Sequence, residues 1–370
     1  MKTDKLRLLS ACFAFVFVFY GNSAIASQAL DPTDIGIGAR PLGMGRAYTA
    51  IADDNSSLFT NPAGLDQKKS VKFLTMWGSL MAEVPYNVVG VSMPMWGGSF
   101  GLGYAGLQVG GIRETVMVGG VPEMTGNEGS FNNSSVNLVY ATDLISIPFF
   151  SKAKVLSSAK AGVSVKMVSQ GFSGFSSFEA RELNGFDIDL GMITKINEET
   201  KFGLAFKNII PGNNLGNDEL PMSVNAGISR YFTNAKLLAD LDIDIVSDRA
   251  LLFRGGCEWS PVDLLKLRLG FDQKPNAGSA MTNMSAGVGL EFKTFSFDYA
   301  YHTFAGLPEL STHFFSICIS GPELKDGPKK EIVKPLPPKA EIKKGPSKTN
   351  AKAVQPAAKK KTVPAKKTKK

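Results

Sequence analysis

The feature that most constrains this chain is a period of two that recurs from about residue 69 to residue 320. In "LLADLDIDIV" the residues Leu237, Ala239, Leu241, Ile243 and Ile245 alternate with Asp240, Asp242 and Asp244. In "LLKLRLGFD" Leu265, Leu267, Leu269 and Phe271 alternate with Lys266, Arg268, Gly270 and Asp272. "TFSFDYAYH" sets Phe295, Phe297, Tyr299 and Tyr301 against Ser296, Asp298, Ala300 and His302. Side chains of a strand point to opposite faces in turn, so these stretches read as strands with one apolar and one polar face.

Two all-β architectures fit that pattern. A soluble sandwich turns the apolar face inward; a transmembrane barrel turns it to lipid and the polar face to the lumen. Three features favour the barrel. The segments are long enough for tilted spans, the polar face is rich in Gly, Ser and Ala, and aromatic residues gather near segment ends as in interfacial girdles. Fourteen strands are expected, near 70–79, 87–95, 98–109, 132–144, 155–170, 183–196, 200–209, 219–232, 234–247, 249–259, 263–272, 281–292, 293–304 and 309–319. The even number suits a single-chain antiparallel barrel. The Gly/Ser/Asn-rich links 110–131 and 171–182 read as outward loops, and Thr233 and Ser247-Asp248 as tight turns.

Both ends of the chain differ from this body. Lys2, Lys5 and Arg7 precede an apolar run over 8–20, and Ala24-Ile25-Ala26 offers a cleavage site, so residues 1–26 read as a secretory signal peptide. Residues 321–370 hold sixteen lysines against four acids and eight of the twenty prolines, with no aromatic residue. That composition cannot bury enough apolar surface to fold, and a disordered basic tail is expected. Such a tail suits contact with peptidoglycan or another anionic envelope polymer, or serves only as a solvated spacer. Nucleic acid is excluded by export and by the lack of interleaved aromatics. Removing both ends leaves a net charge of −6, so the chain's overall +8 belongs to the tail.

Between signal and barrel lies an entry segment, residues 27–68, which reads as a compact plug. Asp53, Asp54 and Asn55 are placed to cap a short helix over 56–60, Pro62 disfavours a helical Asn61, and Gly64 permits a reversal into the first strand. Three local patterns here, "GARPLGMGRAYTAIADD" (38–54), "NSSLF" and "NPAGL" (61–65), resemble the N-terminal signature of the FadL-type outer-membrane barrels, in particular their PorV/PorQ-like branch. Arg46 departs from that pattern, which has a glycine there. The resemblance implies a fourteen-stranded barrel in the bacterial outer membrane, with a hatch in the lumen carrying Gly43, Gly45, Asp53, Asp54, Asn61, Pro62, Ala63 and Gly64. It implies passive uptake of small hydrophobic molecules such as fatty acids, with the N-terminus and tail in the periplasm. As an alternative it implies a non-transporting accessory or shuttle subunit of a type IX-like protein secretion system, or an envelope-anchoring barrel.

Single residues are read against both a functional and a structural role. Asn61, Pro62 and Ala63 either position a gate or only stop a helix. Arg40 and Arg46 are expected to reach wall carboxylates such as Asp240 and Asp242, holding the hatch by ion pairs. The wall sequence of acids (Asp240, Asp242, Asp244), mixed charges (Arg254, Glu258), bases (Lys266, Arg268) and acids (Glu291, Asp298) suits a cross-strand ladder, with a selectivity filter as the alternative. Cys257 and Cys318 read as free thiols, without a disulfide framework. His302 and His313 have no metal-ligand spacing, "GFSGF" lacks the glycine placement of a nucleophile elbow, and "GIGARPLGMG" lacks dinucleotide-loop spacing. No enzyme activity, metal or cofactor is expected, and the partners expected are outer-membrane lipid, a hydrophobic ligand or secretion-system proteins.

Overall fold

A computed structural model describes residues 31–80, 83–147, 149–150, 157–176, 181–216, 218–246, 251–276, 279–305 and 311–324. The signal peptide, the Ser247-Asp248 turn and the basic tail beyond residue 324 lie outside the described residues. Sixteen strands are present among those described: β1 (Lys72–Leu80), β2 (Val84–Met95), β3 (Gly98–Val118), β4 (Val121–Asp143), β5 (Ala159–Ser173), β6 (Arg181–Lys195), β7 (Thr200–Lys207), β8 (Asn214–Leu215), β9 (Asp218–Glu219), β10 (Ser223–Phe232), β11 (Leu237–Val246), β12 (Leu252–Val262), β13 (Leu265–Asn276), β14 (Ser279–Glu291), β15 (Phe295–His302) and β16 (Thr312–Ser320). All but β8 and β9 form a closed antiparallel barrel of fourteen strands. Closure is made by β1 against β16, from Lys72 opposite Ser320 to Gly78 opposite Phe314. It leaves the sheet no unpaired edge.

The period of two sorts the side chains as expected over β11 to β15. Leu241, Phe253, Leu269, Val288 and Phe295 are exposed on the outer surface, whereas Asp240, Asp242, Asp244, Glu258, Arg268, Asp272 and Asp298 are buried in the lumen. The outward apolar surface continues round the barrel through Trp77, Val89, Leu102, Leu138, Val165 and Ile228. Such a belt on a closed barrel is the lipid-facing surface of an outer-membrane protein.

Three expectations need correction. The link 110–131 is not a loop: β3 and β4 pair through it to a turn between Val118 and Val121. Beyond Leu107 the edge of β3 has left β2, and before Ser130 the edge of β4 has not yet met β5, so the two form a ribbon past the rim. Its glycines interrupt the alternation without ending the strands, and the register shifts between Val109 and Ile112 and again between Arg113 and Thr115. Likewise, part of the link 171–182 belongs to the ends of β5 and β6. Finally, the lumen face is not polar throughout. Leu74 and Met76 of β1, Tyr86 and Val88 of β2, Ala105 and Leu107 of β3 and Phe314 of β16 are buried inside the barrel. Alternation is blurred on this wall because both faces are apolar, one toward lipid and one toward the plug.

Candidate functional site

Residues 31–70 fill the lumen, built from short turns rather than from one helix. Asp31 caps a 3-10 turn at Pro32–Ile35, accepting from the Thr33 amide at 2.9 Å. A single helical turn follows at Ala39–Gly43. The helix expected over 56–60 is a 3-10 turn at Asn55–Leu58, capped by Asp54, whose carboxylate accepts from the Ser56 amide at 2.9 Å. Asn61 is extended, as a residue before proline prefers, but Pro62 starts a further turn, Pro62–Asp66. Asn61 caps that turn by accepting from the Ala63 amide at 3.2 Å. Gly64 is not a left-handed reversal; a Cβ there would stand 1.9 Å from the Ala52 carbonyl oxygen, so glycine is required by close approach.

Electrostatics hold this plug to the β10–β15 wall. Arg40 reaches Glu258 of β12 through Nε at 2.8 Å and Nη2 at 3.1 Å, and Asp53 of the plug through Nη1 at 2.7 Å. Its guanidinium also lies over the Tyr48 ring, 5.4 Å from the centroid. Glu258 in turn accepts from Arg268 of β13 at 2.7 Å, and Arg268 donates to Asp298 of β15 at 2.7 Å. Arg254 pairs with Asp244, and Lys266 with Glu291 at 3.1 Å. The wall charges therefore form the cross-strand ladder, extended inward by the plug. Arg46 stands 3.6 Å from Asp272, which also meets His302 at 2.7 Å.

The two arginines thus meet wall acids, but not Asp240 or Asp242. The spacing of charges along a strand does not say which turn of the plug faces which strand. Asp242 has a different role: one oxygen accepts from the amides of Tyr48 and Thr49, at 2.9 and 3.0 Å, and from the Thr49 hydroxyl at 2.7 Å. Asp240 is buried with neither oxygen hydrogen-bonded among the described residues.

A second set of contacts holds the plug to the β3–β7 wall. Lys166 of β5, fully buried, pairs with Asp31 at 2.9 Å and Asp189 of β6 at 3.2 Å. Asp66 accepts from Lys160 at 2.8 Å and from Ser99 at 2.8 Å. Asn61 donates to the Thr49 carbonyl at 2.8 Å and lies 3.4 Å from the Met192 and Leu204 carbonyls of the wall. The NPA triplet is seated against glycines: a Cβ at Gly191 would stand 2.1 Å from Asn61 Oδ1, and one at Gly203 2.2 Å from the Thr49 carbonyl oxygen. Gly43 ends its turn against Gly287, and Gly45 adopts φ 61° beside Phe271, its amide donating to Ser285 at 2.9 Å. Lys166, Asp66 and these wall glycines escaped sequence reasoning, because each owes its role to a partner far away in the chain.

Burial raises the Asp53 carboxyl, but Arg40 and then Lys68 outweigh it and hold it well below the usual carboxylate range. Asp31 is likewise lowered: burial opposes ionisation, and Lys166 together with the Thr33 donors reverses the effect. Asp53 and Asp31 are therefore charged near neutral pH.

The third side of the plug is apolar. Ile37, Leu42, Leu58, Phe59 and Leu65 pack with the inward residues of β1 to β4 and β16. Leu80 and Val84, at the β1–β2 connection, and Val109 and Phe131, where the β3–β4 ribbon begins, pack against the same cluster, as does Ile35 of the plug. The lumen therefore carries an apolar stripe over β1 to β3 that packs on the plug, beside the polar inward face of β4 at Asn133, Ser135 and Asn137. No cluster of metal-ligand residues is found among the described residues.

No protein-family model matches the chain, and no curated protein matches it in sequence. Solved structures do match. The Ralstonia pickettii toluene transporter TbuX is 14% identical, with a TM-score of 0.53 over 77% of this chain and 97% of that one. The Pseudomonas putida toluene transporter TodX is 12% identical, with a TM-score of 0.53 over 80% of this chain and 99% of that one. A Pseudomonas aeruginosa FadL homologue aligns at a TM-score of 0.47, with 11% identity. At such identities the likeness speaks to architecture alone: the chain has the barrel fold of the two toluene transporters.

Proposed function

We propose that the protein is a passive, non-enzymatic uptake route for small hydrophobic molecules across the outer membrane, fatty acids being one class. The observation that carries this reading is the apolar stripe inside the lumen. A water-filled pore keeps its lumen polar, whereas here Tyr86, Val88, Leu107 and Val109 form an apolar wall packed on the plug, with Phe131 against the same cluster. The solved structures of similar fold that bear the names of toluene transporters agree with it. In this reading the plug and the rim where β1 begins face the periplasm, and the basic tail meets peptidoglycan or another anionic polymer there. Neither the described residues nor the names of the structural neighbours favour the secretion-accessory alternative or the PorV/PorQ-like branch.

The test is a charge placed on the stripe. Leu107→Asp is expected to abolish entry of a neutral arene into vesicles with a lipopolysaccharide outer leaflet while the barrel still folds, as read by resistance to unfolding in cold detergent. Unchanged arene entry through folded Leu107→Asp would overturn the reading.

A further inference from the structure

At the rim where the plug joins β1, a cavity of about 350 Å³ opens between the plug, the β14–β15 turn and the end of β16. Lys72 lines it and is 2% exposed. The ammonium of Lys72 makes one long contact, 3.4 Å to the Leu65 carbonyl, and has no ion pair among the described residues. A buried ammonium without a counter-charge is costly, because desolvation is not offset by a partner.

The acids around the cavity do not fill that need. Asp53 is held by Arg40 and Lys68, Asp298 by Arg268, and Glu291 by Lys266. Asp54 is held by the Tyr48 and Ser56 hydroxyls and lies 3.5 Å from Arg40. Glu323 stands exposed at the outer edge. Lys293 also borders the opening, so the charges left without an ion pair there are two cations and one acid among the described residues. Beside them Phe292 and Phe295 stack with ring centroids 4.3 Å apart, both about half exposed. Over the whole lining five bases meet five acids, so the feature that sets the cavity apart is the buried, unpaired ammonium of Lys72, with the Phe292–Phe295 pair at its outer rim.

We propose that this cavity binds an anionic head group carried on an alkyl chain, with the Lys72 ammonium as its buried counter-charge and Phe292 and Phe295 against the chain. An alkyl carboxylate and an alkyl phosphate share that chemistry. The site stands apart from the apolar stripe, and its test does not depend on uptake of neutral molecules.

Calorimetric titration of the purified full-length protein in zwitterionic detergent, with decanoate, decyl phosphate and decanol, tests the site. At least one anion is expected to bind about tenfold more tightly than decanol, the effect of one charge-assisted hydrogen bond, and which one does so identifies the head group. Lys72→Met, which removes the charge but keeps the length, is expected to erase that advantage. Lys293→Gln, at an exposed position that folding does not depend on, is expected to reduce it. Decanol binding as tightly as both anions, or anion affinities unchanged in both variants, would overturn the proposal.

Discussion

Replacing Arg40 by methionine removes three hydrogen bonds at once while nearly preserving the length of the side chain. Two of them go to Glu258 at 2.8 and 3.1 Å, and one to Asp53 at 2.7 Å. The Arg40, Asp53 and Glu258 side chains are 19%, 18% and 8% exposed, so water only partly replaces the lost partner. Breaking a buried pair costs on the order of 3–5 kcal/mol. Here Arg268 still serves Glu258 and Lys68 still serves Asp53, which places the cost near the lower end, about 3 kcal/mol. The plug should then open roughly 100-fold more often, at about 1.4 kcal/mol per factor of ten. Amide hydrogen exchange in detergent reads this directly. Amides over 39–49 should exchange about two orders of magnitude faster in Arg40→Met, while those of β5 and β6 keep their protection. Exchange over 39–49 within about threefold of wild type would refute the argument that ion pairs hold the plug.

Other substitutions test the remaining contacts. Asp242→Asn keeps the shape and one oxygen for the Tyr48 and Thr49 donors, but removes the charge that strengthens those three hydrogen bonds; a loss of about 1–3 kcal/mol should appear as faster exchange at Thr49. Gly191→Ala and Gly203→Ala place a methyl group on Asn61 and Thr49, and should lower the thermal unfolding midpoint, whereas Gly110→Ala, with open space around it, should not. Because Asp53 and Asp31 are lowered, the stability they contribute is present above the unfolded carboxylate value of about 3.9 and is lost as pH falls through the folded values below it. Plug protection should therefore be equal at pH 7 and pH 5 and fall only in stronger acid; loss already at pH 5 would contradict the assigned charges.

How much of this was legible beforehand depends on the range of the interaction. Strand positions follow from local alternation, and each of the fourteen expected segments overlaps a barrel strand, with most ends shifted by a few residues but β3 running on to Val118 and β4 starting already at Val121. The polar lumen face of β11 to β15 was readable because Asp, Arg and Glu alternate there with Leu and Phe. The inward apolar wall was not, since Leu74 and Met76 alternate with Phe73 and Trp77, and hydropathy cannot tell lipid from plug. The turn at Asn55–Leu58 followed from Asp54 as a cap, but the turn that Asn61 caps did not, because a proline that ends one turn also suits the start of the next. The pairings of Arg40 with Glu258 and Lys166 with Asp31 join residues more than a hundred positions apart. They depend on barrel closure and register, which no local pattern carries.

The central claim is that the lumen passes hydrophobic molecules along its apolar wall while the seated plug denies passage to ions. The wild-type protein should be placed in a bilayer with a lipopolysaccharide outer leaflet, and arene entry and ionic conductance recorded on the same preparation. The account predicts arene entry well above protein-free vesicles together with no steady ionic current. A stable, porin-like conductance, or arene entry no faster than without protein, would contradict it.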